Sequence, residues 1–129
     1  MELEEVQACQ CERELADSIA AGVLPVAATD DRLPAGHVCH FTSPVRFGRR
    51  HADQFGHLEL TSSWLKFRGV IDVSVSWSEI AGLQRIAREV IVTLVDSNRP
   101  MHFWFASMTD AARATVLARH FADSCHAWA

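Results

Sequence analysis

Between His37 and Phe105 apolar residues recur at every second position in short runs, and no stretch there carries the three-and-four spacing of a helix. His37–Phe41 reads as a first strand, closed by Pro44. Gly56 opens a second, with Leu58 and Leu60 on one face and His57, Glu59 and Thr61 on the other. Ser62-Ser63 turns the chain into Trp64–Arg68, which Gly69 ends. Val73, Val75 and Trp77 alternate with serines, and Ile80–Ile86 and Val90–Val95 follow. Asp96–Pro100 carries hairpin-turn residues, and in Met101–Phe105 the apolar Met101, Phe103 and Phe105 oppose His102 and Trp104. Seven consecutive strands without intervening helices cannot build a doubly wound parallel sheet. They predict a mainly β fold, a small antiparallel sandwich or barrel.

Helical periodicity flanks this block. Residues 2–21 place Ala8, Cys11, Leu15 and Ile19 on a narrow apolar stripe that Gly22 terminates, so this helix is expected to pack lightly or to find a partner. Pro25, Pro34 and Gly36 mark an irregular arm over 22–36. At the other end, Thr109 is the expected cap of a helix over 109–124. Ala111, Ala114, Leu117, Ala118, Phe121 and Cys125 share one face of it, and Arg113, His120 and Asp123 the other. That helix would plug one open end of the barrel. The chain thus divides into an acidic helix and arm, 1–36, and a main domain, 37–129.

The 129 residues are 49% apolar and 22% charged, which suits one domain able to bury a core without disulfides or metal. No apolar run approaches the roughly 20 residues of a membrane span. The acidic Met1–Glu5 start is unlike a secretory signal, so a cytoplasmic location with Cys9, Cys11, Cys39 and Cys125 reduced is expected. Charge is uneven: residues 1–31 sum to −7 and residues 32–129 to +3. Such an acidic segment either keeps the protein soluble, the commoner role, or folds back on a basic face.

Several residue patterns resemble the pleckstrin-homology (PH) superfold, in particular GRAM and bacterial PH-like domains. Gly56-His57-Leu58-Glu59-Leu60-Thr61 followed by Trp64-Leu65-Lys66-Phe67-Arg68-Gly69 is similar to their G-x-L-x-L-T…L-x-F-x-G hairpin. Trp77-Ser78-Glu79-Ile80 resembles their step into the fifth strand, and Met101–Phe105 their seventh. Upstream, Gly22-Val23-Leu24-Pro25 and Gly36-His37-Val38-Cys39-His40-Phe41 resemble the G-x-L-P arm and G-E-V-C-H-F first strand of a group of uncharacterised bacterial PH-like proteins, with His37 in place of Glu. The resemblance spans residues 19–122. It implies a seven-stranded, partly open antiparallel barrel capped by the C-terminal helix, and it leaves the ligand undefined, because that superfold hosts lipid-binding, peptide-binding and purely structural modules.

Two binding readings follow, neither catalytic. The first is a protein-interaction module, joining a peptide, another protein or a second copy, with Phe47, Trp64, His102 and Trp104 as exposed aromatic anchors. The alternative is an anionic lipid headgroup held by Arg46, Arg49, Arg50 and His51 in a basic loop over 46–51, with Lys66 and Arg68 on a nearby strand. No nucleophile elbow, phosphate loop or dinucleotide fingerprint is visible, so no enzyme activity and no cofactor are expected. His37, Cys39 and His102 are the nearest approach to a metal set, yet no C-x-x-C or H-E-x-x-H spacing supports one. An excess of only three positive charges argues against nucleic acid.

Overall fold

Alternation of buried and exposed side chains carries the chain through seven antiparallel strands that form one open sheet in the order β4-β3-β2-β1-β7-β6-β5. The strands are β1 (Cys39–Arg49), β2 (Ala52–Thr61), β3 (Trp64–Arg68), β4 (Val73–Ser76), β5 (Ile80–Ile86), β6 (Glu89–Leu94) and β7 (Met101–Phe105). Helix α1 (Leu3–Ala20) precedes them, α2 (Met108–His126) follows, and a 3-10 turn at Trp77–Glu79 joins β4 to β5. The computed structural model describes residues 3–27, 38–49, 52–97 and 99–126. The class expected from the sequence, mainly β with a helix at each end, is the one observed.

Strand β1 departs from expectation. It runs through Pro44 to Arg49, so Arg46 to Arg49 belong to a strand and not to a loop. Pro44 is tolerated because β1 pairs with β7 only from Val45↔Phe105 to Gly48↔His102, so no bond to β7 is asked of its missing N–H. Inward residues Phe41, Ser43, Val45 and Phe47 are all buried, so the period of two continues through the stretch that reads locally as charged loop. Strand β2 accordingly starts at Ala52 and not at Gly56, with register Arg49↔Ala52 at the head of the hairpin. Arg50 and His51, like His37, lie outside the described residues, as does the side chain of Arg49. Phe47 is a core residue and not an exposed anchor: its ring lies 4.9 Å from Phe67 and 5.1 Å from Phe103.

The core lies between the inner face of the sheet and α2, where Ala111, Ala114, Leu117, Ala118 and Phe121 are buried. Its largest member, Trp77, is 1% exposed and packs on Phe121 with ring centroids 5.3 Å apart. Its indole Nε1 donates to the Thr61 carbonyl at 2.8 Å, which satisfies the polar atom that so buried a ring must place. Thr61 also turns the β2–β3 hairpin, since its Oγ1 accepts the N–H groups of Ser63 and Trp64. Helix α2 starts one residue before the expected cap: Ser107, not Thr109, accepts the Asp110 N–H at 3.1 Å.

The acidic helix folds back. Arg85 on β5 points inward beneath α1 and is only 10% exposed. Its Nη2 and Nη1 donate to the two Glu5 oxygens at 2.8 and 3.3 Å, its Nε to Glu12 at 2.8 Å, and Nη1 also to the Ala87 carbonyl at 3.0 Å. Ala87 itself sits at φ 54 in the β5–β6 turn, so the same guanidinium steadies a left-handed alanine. Glu4 pairs with Arg88 at 3.5 Å and accepts the first N–H of α2, from Met108, at 3.1 Å. Ala8 closes against Met108 and Ala112, while Leu15 and Ile19 pack on the main core, so the narrow stripe is partnered within the chain.

Three outcomes are expected. Trp77→Ala should lose about 3–5 kcal/mol, a large share of what a domain this size has, read by urea denaturation. Arg85→Ala should free α1 while the sheet survives, read as new cleavage confined to residues 3–27 in limited proteolysis. The Arg85 hydrogen bonds hold the Glu5 carboxyl below its ordinary value. The folded state therefore gives up that proton more readily than the unfolded chain. The stabilisation is complete above the unfolded carboxylate range, near pH ~4.3, and is lost as pH falls through the folded Glu5 value. Glu5→Gln should flatten the acid limb of the stability curve; an unchanged limb would refute the assignment.

Candidate functional site

In the paired register every second residue of β1, β2, β3 and β7 faces away from the core. One cross-strand row on that outer face reads Phe55 (β2), Arg46 (β1), Trp104 (β7). The row beside it carries Pro44, His57 and Arg68 on β1, β2 and β3. A third carries Asp53, Gly48 and His102. Together the first two rows wall a groove of about 710 Å³, bounded by Gly69 at the end of β3 and Ala106 after β7. Phe55 is 78% exposed on its rim, an unusual placement for a phenyl ring in a small domain.

Trp104 is the centre of the arrangement. The Arg46 guanidinium lies 4.4 Å from its ring centroid, and the His102 imidazole is stacked on it at 5.6 Å and 17°. Gly48 makes room for the indole: a Cβ there would fall 2.7 Å from Trp104 Cζ3 and from Asp53 Oδ1. On the far side of Trp104, a second hollow of about 440 Å³ is lined by Gly48, Asp53, Glu89, Arg99, Pro100 and His102. His102 Nδ1 stands 3.5 Å from Glu89 there.

The groove is close to electroneutral. Arg68 Nε bonds Glu59 Oε2 at 3.0 Å, and Glu59 is itself buried although it lies on the outer face. Arg46 faces Asp53 at 3.9 Å, a separation beyond hydrogen bonding. Two cations thus meet two carboxylates around a mostly hydrocarbon surface.

Of the residues singled out by sequence, Arg46, Arg68 and Trp104 converge on the groove, and His102 lines the adjoining hollow. Lys66 and Trp64 lie further along β3, outside the groove, with Lys66 Nζ 5.8 Å from the Trp64 ring. Phe55, His57 and Gly48 were missed; they acquire a role only through the β1–β2 register. The weighed metal set is broken up: Cys39 faces the core and donates to the Phe41 carbonyl, whereas His102 lies on the opposite face. Among the described residues no three His, Cys, Asp or Glu side chains gather for a metal ion, and no helix is long and apolar enough to cross a membrane.

No protein-family model matches the sequence, and no curated protein matches it either. Solved structures do share the fold. The C-terminal domain of an unknown protein from Leishmania infantum superposes with a TM-score of 0.55 at 18% identity, covering 62% of this chain and 82% of that one. The inner membrane complex sub-compartment protein 3 of Toxoplasma gondii gives 0.58 at 14% identity, covering 66% and 77%. At such identities the likeness is one of architecture alone.

Because alanine normally suits a strand better than glycine, Gly48→Ala would ordinarily stabilise. Here it should instead push the indole off β1 and destabilise by about 1–3 kcal/mol, with a shifted Trp104 indole N–H resonance in nitrogen-edited NMR spectra. A stabilised variant with that resonance unmoved would contradict the packing described.

Proposed function

We propose that this chain is a non-catalytic PH-like module that binds a partner polypeptide in the groove between Phe55 and Trp104. The strand order, the long first strand shared by both halves of the sheet and the closing C-terminal helix support the PH-like assignment, in line with the resemblance carried by residues 19–122. The observation that carries the binding reading is the groove itself. It is preformed, of a size for a few side chains, mostly apolar, and flanked by an exposed phenyl ring and a tryptophan. Aromatic residues and arginine are the types that dominate binding energy at protein interfaces.

Within the groove the same electrostatics weigh against a polyphosphate headgroup. A multivalent anion needs several converging donors that are not already engaged. Arg68 is engaged by Glu59, Asp53 stands beside Arg46, and Lys66 points elsewhere.

The test is backbone amide NMR of the full chain against blocked octapeptides chosen by affinity selection, with vesicles of phosphatidylcholine with and without phosphatidylserine run in parallel. Shifts confined to residues 44–46, 55–57, 68–69 and 104–106, and abolished by Trp104→Ala, are expected. Salt-sensitive co-sedimentation with the anionic vesicles, lost in Arg46→Gln with Arg68→Gln, would overturn the reading in favour of the headgroup site.

A further inference from the structure

We infer that the partner segment crosses the groove as an extended chain and places one acidic side chain on Arg46, an inference that rests on the polypeptide-binding reading above. Arg46 is distinct among the groove cations. Among the described residues it donates no hydrogen bond, its Nε is shielded from water without a partner, and the nearest carboxylate stands 3.9 Å away. Arg68, by contrast, is already bonded to Glu59 at 3.0 Å. The Arg46 guanidinium lies over the Trp104 indole at 4.4 Å, so the fork of donors is placed before any ligand arrives. A planar guanidinium, placed in advance, matches a carboxylate in two parallel hydrogen bonds and loses little freedom in making them.

The count of one acid follows from which donors are engaged. Among the described residues Arg68 is already bonded to Glu59, so of the two groove arginines only Arg46 has its whole fork of donors to offer, enough for one carboxylate and not for a cluster of phosphates. That the segment passes through follows from shape. The groove runs from Gly69 at the end of β3 across β2 and β1 to Ala106 after β7. Four strands about 4.8 Å apart span roughly 14 Å, the reach of about four extended residues at ~3.3 Å each. The carboxylate at Arg46 therefore sits mid-segment, flanked by apolar side chains against Phe55 and Trp104, and belongs to Asp or Glu and not to a chain terminus.

The experiment uses the full chain and a randomised library of octapeptides, acetylated and amidated so that no terminal carboxylate is present. Selection on the native chain should enrich Asp or Glu at one position with apolar neighbours. For an enriched peptide, Glu→Gln in the peptide and Arg46→Gln in the protein should each weaken binding roughly 10- to 100-fold and should not add when combined. Arg46→Lys, which keeps the charge without the fork, should recover only part of it. Phe55→Ala, a change at an exposed ring, keeps the fold intact and should weaken the same peptides. Enrichment abolished by Trp104→Ala but with no acidic preference would overturn this inference and leave the groove reading standing. No enrichment at all would overturn both.

Discussion

The two halves of the sheet meet along four residue pairs, Val45 to Gly48 of β1 against Phe105 to His102 of β7. Strand β1 is the longest in the molecule because it serves both halves, pairing with β2 along its whole length and with β7 only at its far end. Everything on the outer face depends on that junction. It sets Arg46 beside Trp104, brings Phe55 into the same row, and leaves Pro44 at the one place where β7 has ended. Gly48 serves the junction twice, since its backbone continues the ladder while its missing side chain receives the indole.

A different interaction governs the inner side. Arg85 is an inward-facing cation on a strand whose other inward residues, such as Leu83, pack on the core. A buried guanidinium is tolerated only when its donors are met, and α1 supplies Glu5 and Glu12 for the purpose. The acidic helix is thus a structural element of the domain, with two carboxylates for the arginine, a third for the first amide of α2 and a small residue, Ala8, packed against that helix.

Much of this was legible from the sequence. Clean alternation in Leu58-Leu60, in Val90-Val92 and in Met101-Phe103-Phe105 marked strands and their buried faces. The error at β1 has a physical source: a proline and two arginines read as a loop when judged locally, whereas both are acceptable once the neighbouring strands are known. Ser43, buried among Phe41, Val45 and Phe47, further broke the apolar signal. Phe47 was misassigned for the same reason, because the face of a residue cannot be read in a segment taken for a loop. At the groove, the residue types were recognisable but their meeting was not. Arg46, Arg68 and Trp104 lie on three strands, and only the hairpin register shows that Phe55 and Gly48 belong with them.

The contacts that secure α1 join residues 73, 80 and 104 positions apart in the chain. A nascent chain grows at about 5–20 residues per second, so α1 leaves the ribosome roughly 4–16 s before Arg85 emerges to receive it. An isolated helix of 18 residues is marginal in water, and a strongly apolar one would seek other partners during that wait. The density of carboxylates on α1 keeps it solvated and self-repelling until β5 arrives, after which Glu5 and Glu12 among them become the means of attachment. Solubility and docking are then two successive duties of the same side chains, separated in time by the synthesis of the sheet.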